Sequence, residues 1–164
     1  MKQKRLLVVS ACLLGLNTKY NGGNNRREDV LALEESCLLI PICPEQLGGL
    51  PTPREPAEIQ GGDGHDVLAG RASVKAKTGK DCTAAFVCGA KQALEVARLV
   101  GAQLALLKAR SPSCGSNCIY DGQFRGKTIA GDGVTAARFK QAGIAVFTEE
   151  TLAELRLLLT QRGS

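Results

Sequence analysis

Four short runs of uninterrupted apolar residues, at 6–10, 37–42, 104–107 and 144–147, constrain this chain more than any other feature. Each is too short for a globular helix, and each is continuous where a half-exposed strand would alternate. Such runs suit strands covered on both faces, as in parallel sheets. Helical periodicity lies between them. Apolar positions at Ala85, Val87, Cys88, Ala90, Leu94, Val96, Ala97 and Leu99 mark a helix over 81–100, which Gly101 stops. Shorter helices are expected over 29–35, over 134–141 before Gly143, and from Thr148 to Leu159. Strands alternating with helices predict an α/β fold: a three-layer Rossmann-like arrangement with a mostly parallel sheet. Its active site is expected at the carboxyl ends of the strands. Residues 48–80 and 110–131 lack periodicity and read as long loops of the kind that carry function. No boundary or repeat divides the 164 residues, so 1–164 is expected to form one domain.

Seven cysteines require a choice of compartment. The start, with its basic residues, apolar run and Val9-Ser10-Ala11-Cys12, resembles an exported lipoprotein. Its apolar run before the cysteine is shorter than the ~7–15 residues of a signal segment, and it serves equally well as a buried strand. No stretch approaches the ~20 apolar residues of a membrane span. A cytoplasmic location is therefore expected, where clustered thiols mean metal or catalysis more often than disulfides.

Three of the seven fall where an apolar run gives way to loop. Cys12 follows the first, Cys43 the second, and Cys114 lies a few residues past the third. Parallel strands deliver such positions to one edge, so the three should converge. Cys37, Cys82 and Cys88 lie inside a strand run or the long helical pattern and read as small buried hydrophobes. A structural zinc site wants four ligands, often two close pairs; only Cys114 and Cys118 come near to pairing. Three thiolates suit a [4Fe–4S] cluster with one iron left open to substrate. Cys118 could instead complete a four-cysteine site. His65, the sole histidine, sits in a Gly-Asp loop and reads as a surface residue.

Glu45, two residues past Cys43 in Cys-Pro-Glu, is a candidate general acid–base. Ser111 and Ser113 flank Pro112 beside Cys114, where hydroxyls could bond substrate or cluster sulfur. Gly131-Asp-Gly133 precedes a helix whose free N–H groups could take an anion. Aromatic residues make up only 4% of the chain, which argues against a surface of stacked rings such as single-strand nucleic-acid binders use. The net charge of +5 is scattered and reads as a solvated surface.

Several stretches together carry a resemblance: Ser10-Ala-Cys-Leu-Leu-Gly15, Tyr20-Asn-Gly22, Cys43-Pro-Glu-Gln-Leu-Gly-Gly-Leu-Pro51, Pro53-Arg-Glu-Pro-Ala-Glu58, Phe86 through Ala90, Lys108-Ala-Arg-Ser-Pro-Ser-Cys-Gly115, Ile119-Tyr-Asp-Gly122 and Gly131-Asp-Gly-Val-Thr-Ala-Ala137. The chain resembles a family of small bacterial proteins that includes the thiouracil desulfidases, over about residues 6–147. The resemblance implies a Rossmann-like core and a [4Fe–4S] cluster held by Cys12, Cys43 and Cys114. It also implies removal of sulfur from a small thiolated pyrimidine, 2- or 4-thiouracil, without net redox change. Glu45 and one of Ser111 and Ser113 would be the catalytic side chains. Cys82 departs from the pattern, where Val is expected. Rival expectations are a non-catalytic metal- or cluster-binding sensor, and a desulfidase for thiolated nucleosides or tRNA. The sequence does not fix the oligomeric state.

Overall fold

The computed structural model describes residues 3–161. In chain order it contains β1 (Arg5–Ser10), α1 (Glu28–Leu31), β2 (Cys37–Ile42), α2 (Pro44–Leu47), β3 (Ala57–Gln60), α3 (Gly64–Leu68) and β4 (Ser73–Ala76). Then follow α4 (Thr83–Val100), β5 (Leu104–Leu107), β6 (Cys118–Tyr120), β7 (Thr128–Ala130), α5 (Val134–Gln141), β8 (Ala145–Thr148) and α6 (Leu152–Gln161).

The four apolar runs form one parallel sheet in the order β2-β1-β5-β8. Period-two alternation divides their side chains between two cores. Val8, Ala105 and Leu107 pack with Ala93, Leu94 and Ala97 of α4 and Ala136 and Phe139 of α5. Leu7, Val9, Leu104 and Leu106 pack with Val30 and Leu33 on one side and Leu152 and Leu155 of α6. Three layers result, because strands apolar on both faces need helices on both. The chain leaves β1 toward β2 and later returns to β1's other side as β5. Strand order thus reverses between β1 and β5, and a crevice opens beyond their carboxyl ends.

The two expected loops are more ordered than the sequence suggests. Residues 48–80 contain the antiparallel β3–β4 hairpin and α3, and 110–131 contain the antiparallel β6–β7 pair. They share a third core, in which Ile59, Val74 and Ile119 meet Phe86 and Ala90 of α4 and Val134 of α5. The first helix is split, its second half tightening into a 3₁₀ turn at Ala32–Glu35. The burial expected of Cys88 is not met. The inner stripe of α4 runs Phe86-Gly89-Ala90-Ala93-Leu94-Ala97, and Cys88 faces solvent. His65 lies at the surface as expected, on α3 with its side chain 40% exposed, and its Nε2 stands 2.9 Å from Asp132. Among the described residues, no helix is long and apolar enough to cross a membrane.

The short α2 is placed by backbone contact with α4. A Cβ at Gly89 would stand 2.0 Å from the Pro44 carbonyl oxygen, and one at Gly48 would stand 2.0 Å from that of Ala85. Gly89→Ala therefore sets two effects against each other. Alanine gains about 1 kcal/mol of helix propensity. The overlap is with main chain, which cannot swing aside, and overpacking of this kind costs about 1–3 kcal/mol. The net expectation is a lower midpoint in urea unfolding, with the Cys43–Glu45 segment displaced; a raised midpoint would refute the contact.

Candidate active site

The carboxyl ends of β2, β1 and β5 lie side by side, and each is followed by one of the three singled-out cysteines. Cys12 is the second residue of the 3₁₀ turn Ala11–Leu14, which directly follows β1. Cys43 is the extended residue between β2 and Pro44, which opens α2. Cys114 lies in the loop after β5. That loop is bolted to α5: the Pro112 carbonyl accepts from Val134 N–H at 2.9 Å, and the Ser113 carbonyl accepts from Thr135 N–H at 2.8 Å. The first amides of α5 are thereby used up, so the anion expected there gives way to the cysteine loop itself. A Cβ on Gly133 would fall 2.5 Å from the Ser113 carbonyl, so the approach requires glycine.

All three cysteines line a single cavity of about 750 Å³, together with Glu45 and Ser111. Ser113 is not brought there. It is buried, and its hydroxyl shares a 2.8 Å hydrogen bond with that of Thr135 behind the loop. The Ser111 hydroxyl accepts from the Ser113 and Cys114 amides, both at 3.1 Å, shaping the turn that presents Cys114. Cys118 belongs to β6 and lies outside the cavity wall, whereas Cys82, just before α4, is part of it.

Burial is the largest influence on the thiols of Cys12 and Cys114 and pushes both above the ordinary cysteine value. A hydrogen bond from Asn25 and the nearby Lys108 charge partly offset this at Cys12; Ser10 does so at Cys114. The Ser10 hydroxyl donates to Cys114 Sγ at 3.4 Å and accepts from the Lys108 amide at 2.9 Å, tying the ends of β1 and β5 together. Behind this pair, the buried Glu149 accepts from the Ala109 amide, and its other oxygen lies 3.6 Å from the Lys108 ammonium.

Glu45 is held by Arg54, whose side chain is only 7% exposed. Arg54 Nε donates to Glu45 Oε2 at 2.6 Å, Nη1 donates to Thr52 Oγ1 at 2.9 Å, and Nη2 donates to the Thr18 carbonyl at 2.8 Å. A guanidinium so fully committed is a rigid fork. It occupies Oε2 and leaves Oε1 without a hydrogen-bond partner among the described residues. Sequence reasoning missed Arg54, Ser10, Lys108 and Asn25 as contributors. Arg54 lies in an aperiodic stretch with nothing to mark its burial, while Ser10 carried a signal, being the one polar residue closing an apolar strand.

The donor set fits an iron–sulfur cluster. In a tetrahedral zinc site with Zn–S of about 2.3 Å, neighbouring sulfurs would stand about 3.8 Å apart. Among the described residues, the one trio of metal-binding groups with ligand atoms mutually within 4.8 Å is Asp63, His65 and Asp132. At least one separation among the Cys12, Cys43 and Cys114 sulfurs exceeds that limit, so the three do not stand at one-ion spacing, and an all-thiolate set is the donor chemistry that iron–sulfur clusters use. The acidic trio has no spare capacity, since Asp132 already pairs with His65 and Lys140.

Comparison with known proteins agrees with this fold. The chain is 45% identical over 150 residues to an uncharacterized protein, YbbK, of Bacillus subtilis (strain 168), covering 92% of this chain and 99% of that one. It superposes on a solved structure of a [4Fe-4S]-dependent thiouracil desulfidase, TudS, with a TM-score of 0.83 and 42% identity, covering 96% of this chain and 99% of the other. Residues 7–151 match the model of the 2-thiouracil desulfurase family, a span from the first strand to the start of the last helix, with every cavity residue named above inside it. With its fold and nearly its whole length in agreement, this chain belongs to the 2-thiouracil desulfurase family.

Proposed function

We propose that this protein is a thiouracil desulfidase: it exchanges the sulfur of a thiolated pyrimidine for oxygen from water, releasing uracil and sulfide. One C=S bond becomes C=O, water supplies the oxygen and both protons of hydrogen sulfide, and no electrons are exchanged. The observation that carries this reading is the presentation of Cys12, Cys43 and Cys114 to one cavity from three adjacent strand ends, with Glu45 beside them.

These three cysteines would hold a [4Fe–4S] cluster as thiolates. Such a group, when bound through three protein ligands, supplies an open iron that draws electron density from the thiocarbonyl sulfur. The remaining work falls to the chain. Glu45 Oε1 accepts a proton from water as its oxygen adds to the ring carbon, and returns it as the sulfur leaves. Arg54 fixes the direction of that carboxylate through Oε2. Ser111 stands at the cavity wall, where its hydroxyl can bond the ring's polar edge.

The test is reconstitution without oxygen. The protein should take up about four iron and four sulfide per chain, and should release sulfide and uracil from 2- or 4-thiouracil under argon. Stoichiometric zinc without sulfide would refute the cluster. A loaded protein that releases nothing from either compound would refute the substrate. A second reading, a thiolated nucleoside as substrate, is favoured by the cavity volume, which exceeds the needs of one pyrimidine ring. The same assay with 4-thiouridine separates the two.

A further inference from the structure

The chain has six aromatic residues, and four of them, Tyr20, Phe86, Tyr120 and Phe124, line the one cavity. The low overall aromatic content therefore conceals a local concentration, which is the wall a planar heterocycle needs. Three of the four sit in ordinary backbone. Phe124 does not. It has φ of +54°, in the left-handed region that a bulky residue rarely occupies.

What holds it there is Glu58, on β3, 66 residues away in sequence. Glu58 is buried, at 8% exposure, and has no ion-pair partner among the described residues. Its Oε1 accepts from the Gly122 amide at 3.0 Å and from the Phe124 amide at 3.2 Å. Gln60, on the same strand, donates from Nε2 to the Gly122 carbonyl at 3.0 Å. The turn between β6 and β7 is thus pinned to β3 at three points. Burying a carboxylate is costly unless its charge is put to use, and here it is spent on two amides of a surface turn. The clamp steadies a hairpin of only three residues per strand, and it also fixes the ring that the turn presents to the cavity. Residues held in rare backbone conformations by over-determined surroundings gather at ligand-contacting positions.

Resting on the proposed desulfidase function, we propose that Phe124 is a specificity-determining residue that packs its ring on the substrate's heterocycle, and that Glu58 is the positioning residue that holds it in place. The ligand class is a planar, aromatic thiocarbonyl compound; an acyclic thioamide of equal polarity offers no face to the ring.

The experiment compares wild type with Phe124→Ala, Phe124→Tyr and Glu58→Gln, each assayed for iron and sulfide content, for kcat and KM with thiouracil, and for thiouracil binding by equilibrium dialysis without oxygen. Phe124→Ala should keep its cluster and its kcat while KM and the dialysis Kd rise by roughly 5- to 100-fold, the span that one base–aromatic contact commands. Phe124→Tyr should restore both. Glu58→Gln retains an acceptor oxygen and should give a smaller rise in KM. Glu58→Ala, combined with Phe124→Ala, should raise KM no further than Phe124→Ala alone, since Glu58 acts through that ring. Unchanged KM and Kd in Phe124→Ala would overturn the proposal. Wild-type protein that binds thiouracil in dialysis but does not turn it over would overturn the desulfidase reading and leave the ring contact standing. Absence of binding by wild type would overturn both.

Discussion

Alanine at Cys12, Cys43 or Cys114 is expected to yield a folded protein that holds no cluster, with iron and sulfide falling from about four per chain to near zero. Two remaining thiolates grip a cubane poorly. The fold does not depend on the third, because Cys12 and Cys114 are single contributors to cores built mainly from strand and helix side chains, and Cys43 belongs to neither. Removing the buried Cys114 thiol should cost only about 1 kcal/mol of stability. Cys88, being exposed, should tolerate serine with no change in unfolding midpoint beyond ±0.5 kcal/mol. Cys37 is packed in the α1–α6 core and should lose some stability as alanine but retain full iron. Cys118→Ala is the sharpest control, since β6 keeps that residue out of the cavity wall. Its iron content should match wild type. Full iron content in any of the three ligand variants, or its loss in Cys118→Ala, would refute the ligand assignment.

Glu45→Gln should leave iron and sulfide intact and lower kcat by about 10²–10⁴-fold, the contribution of a well-placed acid–base group. Glutamine keeps the size and one oxygen of the side chain, so Arg54 retains a partner and the segment holds its place. What is lost is the ability to accept a proton at the second position, the one the structure leaves unpartnered. Sulfide release under argon, normalised to iron content, measures this. A variant with full iron and the wild-type rate would remove Glu45 from the mechanism and leave the Ser111 hydroxyl as the remaining candidate for proton transfer.

The central sheet was legible because its inner strands β1 and β5 are buried on both faces and its edge strands partly so, and continuous apolar runs are the direct imprint of that. The position of Cys12 and Cys43 followed, since a parallel sheet aligns strand ends. The hairpins were not legible. β3–β4 and β6–β7 are three or four residues per strand, and what stabilises them is distant in sequence, as with the 64 residues separating Glu58 from Gly122. Periodicity reports only neighbours. Cys88 misled because it sits beside the stripe that faces the core, one step along the helix from Gly89, whose lack of a side chain hid the true inner face. Ser111 and Ser113 are equivalent in sequence, on either side of Pro112. Only the docking of their loop onto α5 separates them, turning one toward Thr135 and leaving the other at the cavity. Composition misled in a different way: an average over 164 residues cannot show that most of a scarce residue type is gathered in one place.

The bolting of the Cys114 loop to the first turn of α5 has a consequence for the order of events during synthesis. Cys12 and Cys43 emerge early and can be positioned once β1 and β2 pair. The third thiol has no fixed place until the backbone around Val134–Ala136 exists to receive the carbonyls of Pro112 and Ser113. More than a hundred residues must therefore be added after Cys12, an interval of roughly ten seconds at about 5–20 residues per second. From the addition of Cys43 onward the nascent chain carries two of the three thiols without their companion in place. A metal centre delivered in that window would meet an incomplete set of ligands, so loading belongs after release from the ribosome, onto a scaffold already assembled.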